Sequence, residues 1–168
     1  MTQPIPSAIP RAIDALLATV ARVTAAAPDD WQVIDGWPGV NQQTNIIAIA
    51  WGDDAVKATQ SAAYAGNGRR WEDFGIACLI SCWVGGYDNA QQRDARERAF
   101  DLLGRLTAEI RPVAGTPAGS TLPDESGQPT VLYGEITEAQ YIATDGEDAS
   151  LGRFAQITFT ITAKKVIG

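Results

Sequence analysis

Two cysteines, Cys78 and Cys82, stand four residues apart, and thiols at such spacing first suggest a metal site or a disulfide. The residues around them alternate as a strand does. Both thiols then share one face, about 13 Å apart at roughly 3.3 Å per residue, too far for a disulfide. A metal would want further Cys or His ligands, and the 168-residue chain holds two Cys and no His. The pair reads as small buried apolar side chains, and no metal or cofactor is expected. Without histidine, nucleophilic catalysis is left with carboxylates or lysines as bases. Glu135 and Glu138 form the best carboxylate pair. Three apart on a strand, they point to opposite faces unless a bulge intervenes, and they read as solvated edge charges. Asp53 and Asp54 follow a strand but lack the glycine spacing and later glutamate of a calcium loop. Gly66-Asn67-Gly68-Arg69-Arg70 lacks Gly-Lys-Ser/Thr and precedes a strand, so it offers no helix N-terminus to a phosphate.

Two residue types point instead to contacts between molecules. Arg93, Arg96 and Arg98 are interleaved by Asp94, Glu97 and Asp101, which makes helical ion pairs on a solvated or subunit-contacting face rather than a nucleic-acid stripe. Trp31, Trp37, Trp51, Trp71 and Trp83 fall at or beside strand ends, where an indole buries its ring and still finds a partner for its N–H. Trp51 and Trp83 read as core. Trp37 and Trp71 divide evenly between the core edge and an interface between subunits, where aromatic residues concentrate.

The elements that would position these residues are two helices and a set of strands. Ile9, Ile13, Leu16, Leu17, Val20 and Val23 recur at helical spacing over residues 7–27, with Ser7 as the N-cap, Pro10 in the first turn and Pro28 as the stop. Residues 31–35 and 45–51 read as two strands of a hairpin around the turn Gly36-Trp37-Pro38-Gly39. Residues 52–70 read as a long loop, a kind that is usually functional or mobile. From 71 to 83 both faces are apolar, as in a central strand. Asn89 and Gln92 have capping-box spacing and open a second helix, whose buried stripe is Ala95, Ala99, Leu102, Leu103, Leu106 and Ile110. Residues 113–130 read as a second long loop. Residues 131–144 and 152–166 read as strands around the acidic turn 145–148, the last with Ala155, Ile157, Phe159, Ile161 and Ala163 facing inward. The expected fold is α+β, a single domain over residues 1–168, with the two helices on one face of a mixed, mostly antiparallel sheet of four to five strands.

Charge and hydropathy bound the rest. The balance of 13 basic and 20 acidic residues, −7 overall, disfavours gripping DNA phosphates or an anionic membrane. No apolar run reaches the roughly 20 residues needed to span a bilayer, and the first residues have no signal-peptide pattern, so the chain reads as cytosolic when made.

The first helix, Val33-Ile34-Asp35-Gly36-Trp37-Pro38, the strand and turn from Phe74 to Tyr87, the helix from Arg93 to Ile110 and the closing segment from Gly152 to Ile161 together resemble the tail terminator proteins of long-tailed phages. The resemblance covers nearly the whole chain. It implies a non-enzymatic virion protein of the head–tail junction, assembled in the host cytoplasm as a homo-hexameric ring. Such a ring caps the tail tube protein, meets a head-completion or connector protein and lets DNA pass through its lumen. The loops at 52–70 and 113–130 would be arms toward neighbours, with Trp37, Arg69, Arg70, Trp71, Asp124 and Glu125 at the contacts. A head-closure or adaptor ring of the neck is the near alternative. A small cytosolic ligand-binding or enzyme domain, with a pocket between sheet and helices, is the alternative of a different class.

Overall fold

The N-terminal stripe folds as α1 (Ile9–Ala25) in the computed structural model, with Ala12, Ala15, Leu16, Thr19, Val20 and Val23 among its buried residues. The structure describes residues 7–37, 39, 44–52, 56–61, 70–86, 88–110, 122–124, 126–143 and 152–167, with the backbone alone at 57–61, 70, 133 and 167. Pro10 lies in the first turn of α1, where a missing N–H costs little. Ser7 is not the N-cap. Ala8 holds that position with helical angles and no side-chain cap, while Ser7 Oγ donates to Glu72 at 2.7 Å. The Ser7 hydroxyl still accepts the Ile9 N–H at 3.2 Å, as a capping side chain would, and Glu72 of the sheet takes the Ala8 N–H.

Strands β1 (Gln32–Asp35) and β2 (Asn45–Ile49) do not form a hairpin; they run parallel, Gln32 beside Ile46 and Asp35 beside Ile49. Their connection, residues 36–44, can reach back along so short a strand, which a two- to five-residue hairpin loop cannot do. The stretch read as one long loop contains β3 (Val56–Ser61), antiparallel to the first half of β4 (Arg70–Val84). Its sequence, Val-Lys-Ala-Thr-Gln-Ser, carries one branched aliphatic residue, too weak an apolar rhythm to announce a strand. β2 pairs with the second half of the same edge of β4, from Ile49 opposite Cys78 to Asn45 opposite Cys82. β2 and β3 thus act as one interrupted strand.

On its other edge β4 pairs along its whole length with β6 (Arg153–Ile167), and β6 pairs with β5 (Tyr133–Ala143). The sheet has six strands in five positions, β1, then β2 with β3, then β4, β6 and β5, parallel only between β1 and β2. This is an α+β fold, and β4 is its central strand as its two apolar faces predict.

Helix α2 (Asn89–Ile110) starts one residue earlier than a cap at Asn89 requires. Asp88 is the cap. Its carboxylate accepts the N–H groups of Ala90 at 2.8 Å and Gln91 at 3.3 Å, and Gln91 Oε1 accepts the Asp88 N–H at 3.1 Å. Ala95, Ala99, Leu102, Leu106 and Ile110 are buried as the helical spacing predicts, with Leu103 partly so.

One buried cluster joins Leu16 and Val20 of α1, Leu102, Leu106 and Ile110 of α2, and one face of the sheet. That face carries Phe74, Ile76, Cys78, Ile80 and Cys82 of β4 beside Ala163, Ile161, Phe159, Ile157 and Ala155 of β6. Each such aliphatic side chain contributes about 1.5–3 kcal/mol on burial. Ile46, Ala48 and Leu79 are buried too, but by strand parity they lie on the second face and outside that cluster. Leu122 joins the core from within the segment read as the second loop, which Pro123 and Pro129 close with an isolated bridge, and Val131 joins it just after that segment.

Candidate functional site

The second face of the sheet gathers the chain's polar chemistry. At the end of β2 the backbone leaves the β4 edge through Ala50, whose φ of +55° is a left-handed conformation that a residue with a Cβ adopts at a cost. Trp51 returns its N–H to Ala77 O at 3.0 Å, and its ring becomes one wall of a recess of about 200 Å³. Ala77, Glu138, Gln140, Thr158 and Thr160 are among its other lining residues. Trp51 Nε1 is buried and has no hydrogen-bond partner among the described residues. Buried donors without an acceptor are rare in folded proteins.

Trp37 stacks on Trp51, ring centroids 6.5 Å apart and planes 13° from parallel, and is 73% exposed. A large apolar ring is thereby presented at the surface. The carboxylates beside it are also rearranged from expectation. A bulge between Ile136 and Glu138 shifts the register, so that Glu135 lies beside Thr162 and Glu138 beside Thr160. Since Thr160 and Thr162 share a face, so do the two glutamates, both exposed. The bulge residue Thr137 shares a 2.7 Å hydroxyl contact with Thr162.

The other residues expected at contacts fall elsewhere. Trp71 is half-buried at the start of β4, with Lys164 Nζ 4.6 Å above its ring and the same ammonium 3.4 Å from Asp73. Six residues along β4 from Ala77, it stands roughly 20 Å from the Trp51 backbone bond. Arg70 is paired with Ile167 through the strand register; Arg69 and Glu125 lie outside the described residues. Asp124 organises its own turn, accepting from Ser126 Oγ at 2.6 Å, Ser126 N at 3.0 Å and Gln128 N at 2.9 Å. The Ser126 hydroxyl first, with the Gln128 amide, holds its carboxyl below the usual range. Arg11 lies 3.4 Å from it, across the mouth of a cleft of about 760 Å³ lined by Asp14, Leu17, Ala18 and Ala21 of α1 and Val33 of β1. Trp37, Trp71 and Asp124 therefore do not converge on one site. Trp83, expected in the core, is 41% exposed at the end of β4, where its ring lies against Gly152.

The cysteines are free and buried on the core face. Burial pushes the Cys78 thiol from 9.0 to about 12 and Cys82 to about 11, the latter drawn partly back by nearby Arg98. Cys82 Sγ donates to Asn45 Oδ1 at 2.8 Å. The arginines of α2 are paired much as their spacing predicts, Arg98 with Asp94 at 2.7 Å and Arg93 with Glu97 at 3.6 Å. Arg98 also reaches Asp29 at 3.4 Å.

Sequence reasoning missed Glu72, which is fully buried, accepts the Ser7 hydroxyl and the Ala8 N–H at 2.7 Å each, and so ties α1 to β4. Strand alternation carries the signal: one step back from Phe74 along the inward row is position 72. Among the described residues no three His, Cys, Asp or Glu side chains gather as a metal site would require. Among the described residues no helix is long and apolar enough to cross a membrane. No protein-family model matches the chain, and no curated protein matches it.

Proposed function

We propose that this chain is a structural subunit of a homo-hexameric ring, a tail terminator that caps the tail tube of a long-tailed phage and meets the head-completion complex. The observation that carries the reading is Trp37. A ring 73% exposed and stacked on a half-buried second tryptophan is an anchor already ordered for contact, so little side-chain freedom is lost when a partner covers it. The α+β element order and its resemblance to tail terminators support the same reading. The function needs no covalent step. Weak contacts repeated six times around a symmetric tube end act together, so a ring binds firmly where one subunit would not. Net negative charge suits a channel through which DNA must slide without sticking. A head-closure ring of the neck would use the same contacts at another level of the particle. Native mass spectrometry with negative-stain microscopy over a wide concentration range tests the proposal. Six-fold rings with a central hole are expected; a strict monomer under all conditions counts against it.

One observation favours a second reading, a small-molecule-binding domain. The cleft of about 760 Å³ between α1, β1 and the Asp124 turn combines an apolar floor with Arg11 and Asp14 at hand. A ligand screen that raises the Tm of a stable monomer would support that reading over the ring.

A further inference from the structure

The outer strands of the sheet, β1 and β5, stand at opposite ends of the same rows. Val33 lies beside Ile47, Ile47 beside Ile80, Ile80 beside Ile157 and Ile157 beside Tyr141, so one row of the core face runs from edge to edge. The same chain of pairs sets Asp35 level with Ala139 and Gln32 level with Ile142. The β5 bulge, between Ile136 and Glu138, falls just below that block, so the regular part of β5 answers the four residues of β1 row for row. Neither strand has a neighbour on its outer side among the described residues, and Ala139, Gln140, Ile142 and Ala143 are exposed. Such an edge is a template for another strand.

The helix layer is open at the same two ends. Phe100 of α2 rests on Tyr141, ring centroids 5.6 Å apart, yet is 45% exposed. At the other end of that row Val33 lines the cleft of about 760 Å³, together with half-buried Leu17 and the exposed Ala18 and Ala21 of α1. A large ring thus projects beside one edge strand, and small side chains leave a hollow beside the other.

We infer that the β5 edge of one copy pairs with the β1 edge of a second copy in the flush register that sets Tyr141 beside Val33, while Phe100 enters the cleft beside Ala21. Strand direction agrees. β1 runs opposite to β4 and β5 runs with it, so two copies held in the same orientation meet as an antiparallel pair. Val33 and Tyr141 both lie on the core face, so the join continues the apolar row across the seam. A flush register also gives no rise from copy to copy, which a head-to-tail contact needs if it is to close into a ring and not wind into a filament. Two β5 edges fit each other less well, because pairing them about their midpoint sets Glu138 of one copy against Glu138 of the other. This inference rests on the ring reading and names its subunit contact.

Two variants of the full chain, each blocking one side, test it by sedimentation velocity, with circular dichroism to verify folding. Phe100→Glu and Ala21→Glu alter exposed positions, and each alone should associate roughly tenfold more weakly than wild type or worse. Mixed in equal amounts they should form a dimer and nothing larger, since each keeps one intact side and the two intact sides are complementary. A contact between like edges would instead leave one variant dimeric by itself, with no gain on mixing, and would overturn the inference. A second measurement reads the register. In the chain carrying Asp35→Cys and Ala139→Cys, a short bismaleimide should join copies into a covalent series ending at six, because the natural cysteines are buried. Should either glutamate unfold the chain, this cross-link decides. Rings that stay uncross-linked, or rings that survive both glutamates, overturn this contact and leave the ring reading standing. A wild-type chain that never associates overturns both.

Discussion

Glu72 shows how one side chain can decide the placement of an element. A carboxylate with no exposed surface is tolerated because two short hydrogen bonds meet it, from Ser7 Oγ and the Ala8 N–H. Glu72→Ala should cost about 3 kcal/mol, since it removes bonds to a charged acceptor and orphans the Ala8 amide. Glu72→Gln, which keeps an oxygen there, should lose less; urea unfolding of the three proteins checks the order. The thiols give a pH prediction. Their folded values, about 12 for Cys78 and about 11 for Cys82, lie above the unfolded thiol value of 9.0. Their protonated form therefore favours the folded state fully below pH 9, and that contribution fades as the pH climbs through 9 toward 11–12. Denaturant midpoints measured from pH 7 to 10.5 should fall at the alkaline end, less so in Cys78→Val. Much of this was legible: alternation alone places both cysteines inward. Glu72 was not, because its carboxylate type argues for the surface and only its partner from the helix start overrides that.

At the scale of elements, strands with a clean two-residue rhythm and helices with a filled apolar stripe were readable, and pairing was not. β6 and β4 announce themselves through their inward rows, as does α2 through Ala95, Ala99, Leu102 and Leu106. β3 could not be seen because its strand state comes from the neighbour it pairs with, and the parallel pairing of β1 with β2 depends on where their connection runs. The Glu135–Glu138 pair is the same lesson at the candidate site, where a single bulge residue turns opposed carboxylates into neighbours on one face. The junction into β6 offers a test. Gly152 has φ +117°, and an added Cβ would stand 2.6 Å from Trp83 Nε1. Gly152→Ala should destabilise by about 2 kcal/mol through strain and overlap, lowering Tm by roughly 4–8 °C. Shortening the ring by Trp83→Leu in the same chain should recover part of that loss; if the two losses simply add, the ring is not the obstacle.

For the whole molecule, the sheet separates a core face that holds the fold from a second face whose polar row, recess and stacked tryptophans are available for contact. Trp37→Ala should therefore leave Tm within about 1–2 °C of wild type while weakening ring assembly by tenfold or more, as expected of an exposed anchor. Equal assembly of the two proteins in native mass spectrometry would count against Trp37 as that anchor. The order of elements also bears on how the protein is made. β4 lies at the centre of the sheet, yet the strand that covers one entire edge of it, β6, comes last in chain order. A ribosome adding roughly 5–20 residues per second delivers that partner some 4–17 s after Val84 has been joined. During those seconds the central strand of the sheet has one edge without its partner, an edge that another nascent chain could pair with.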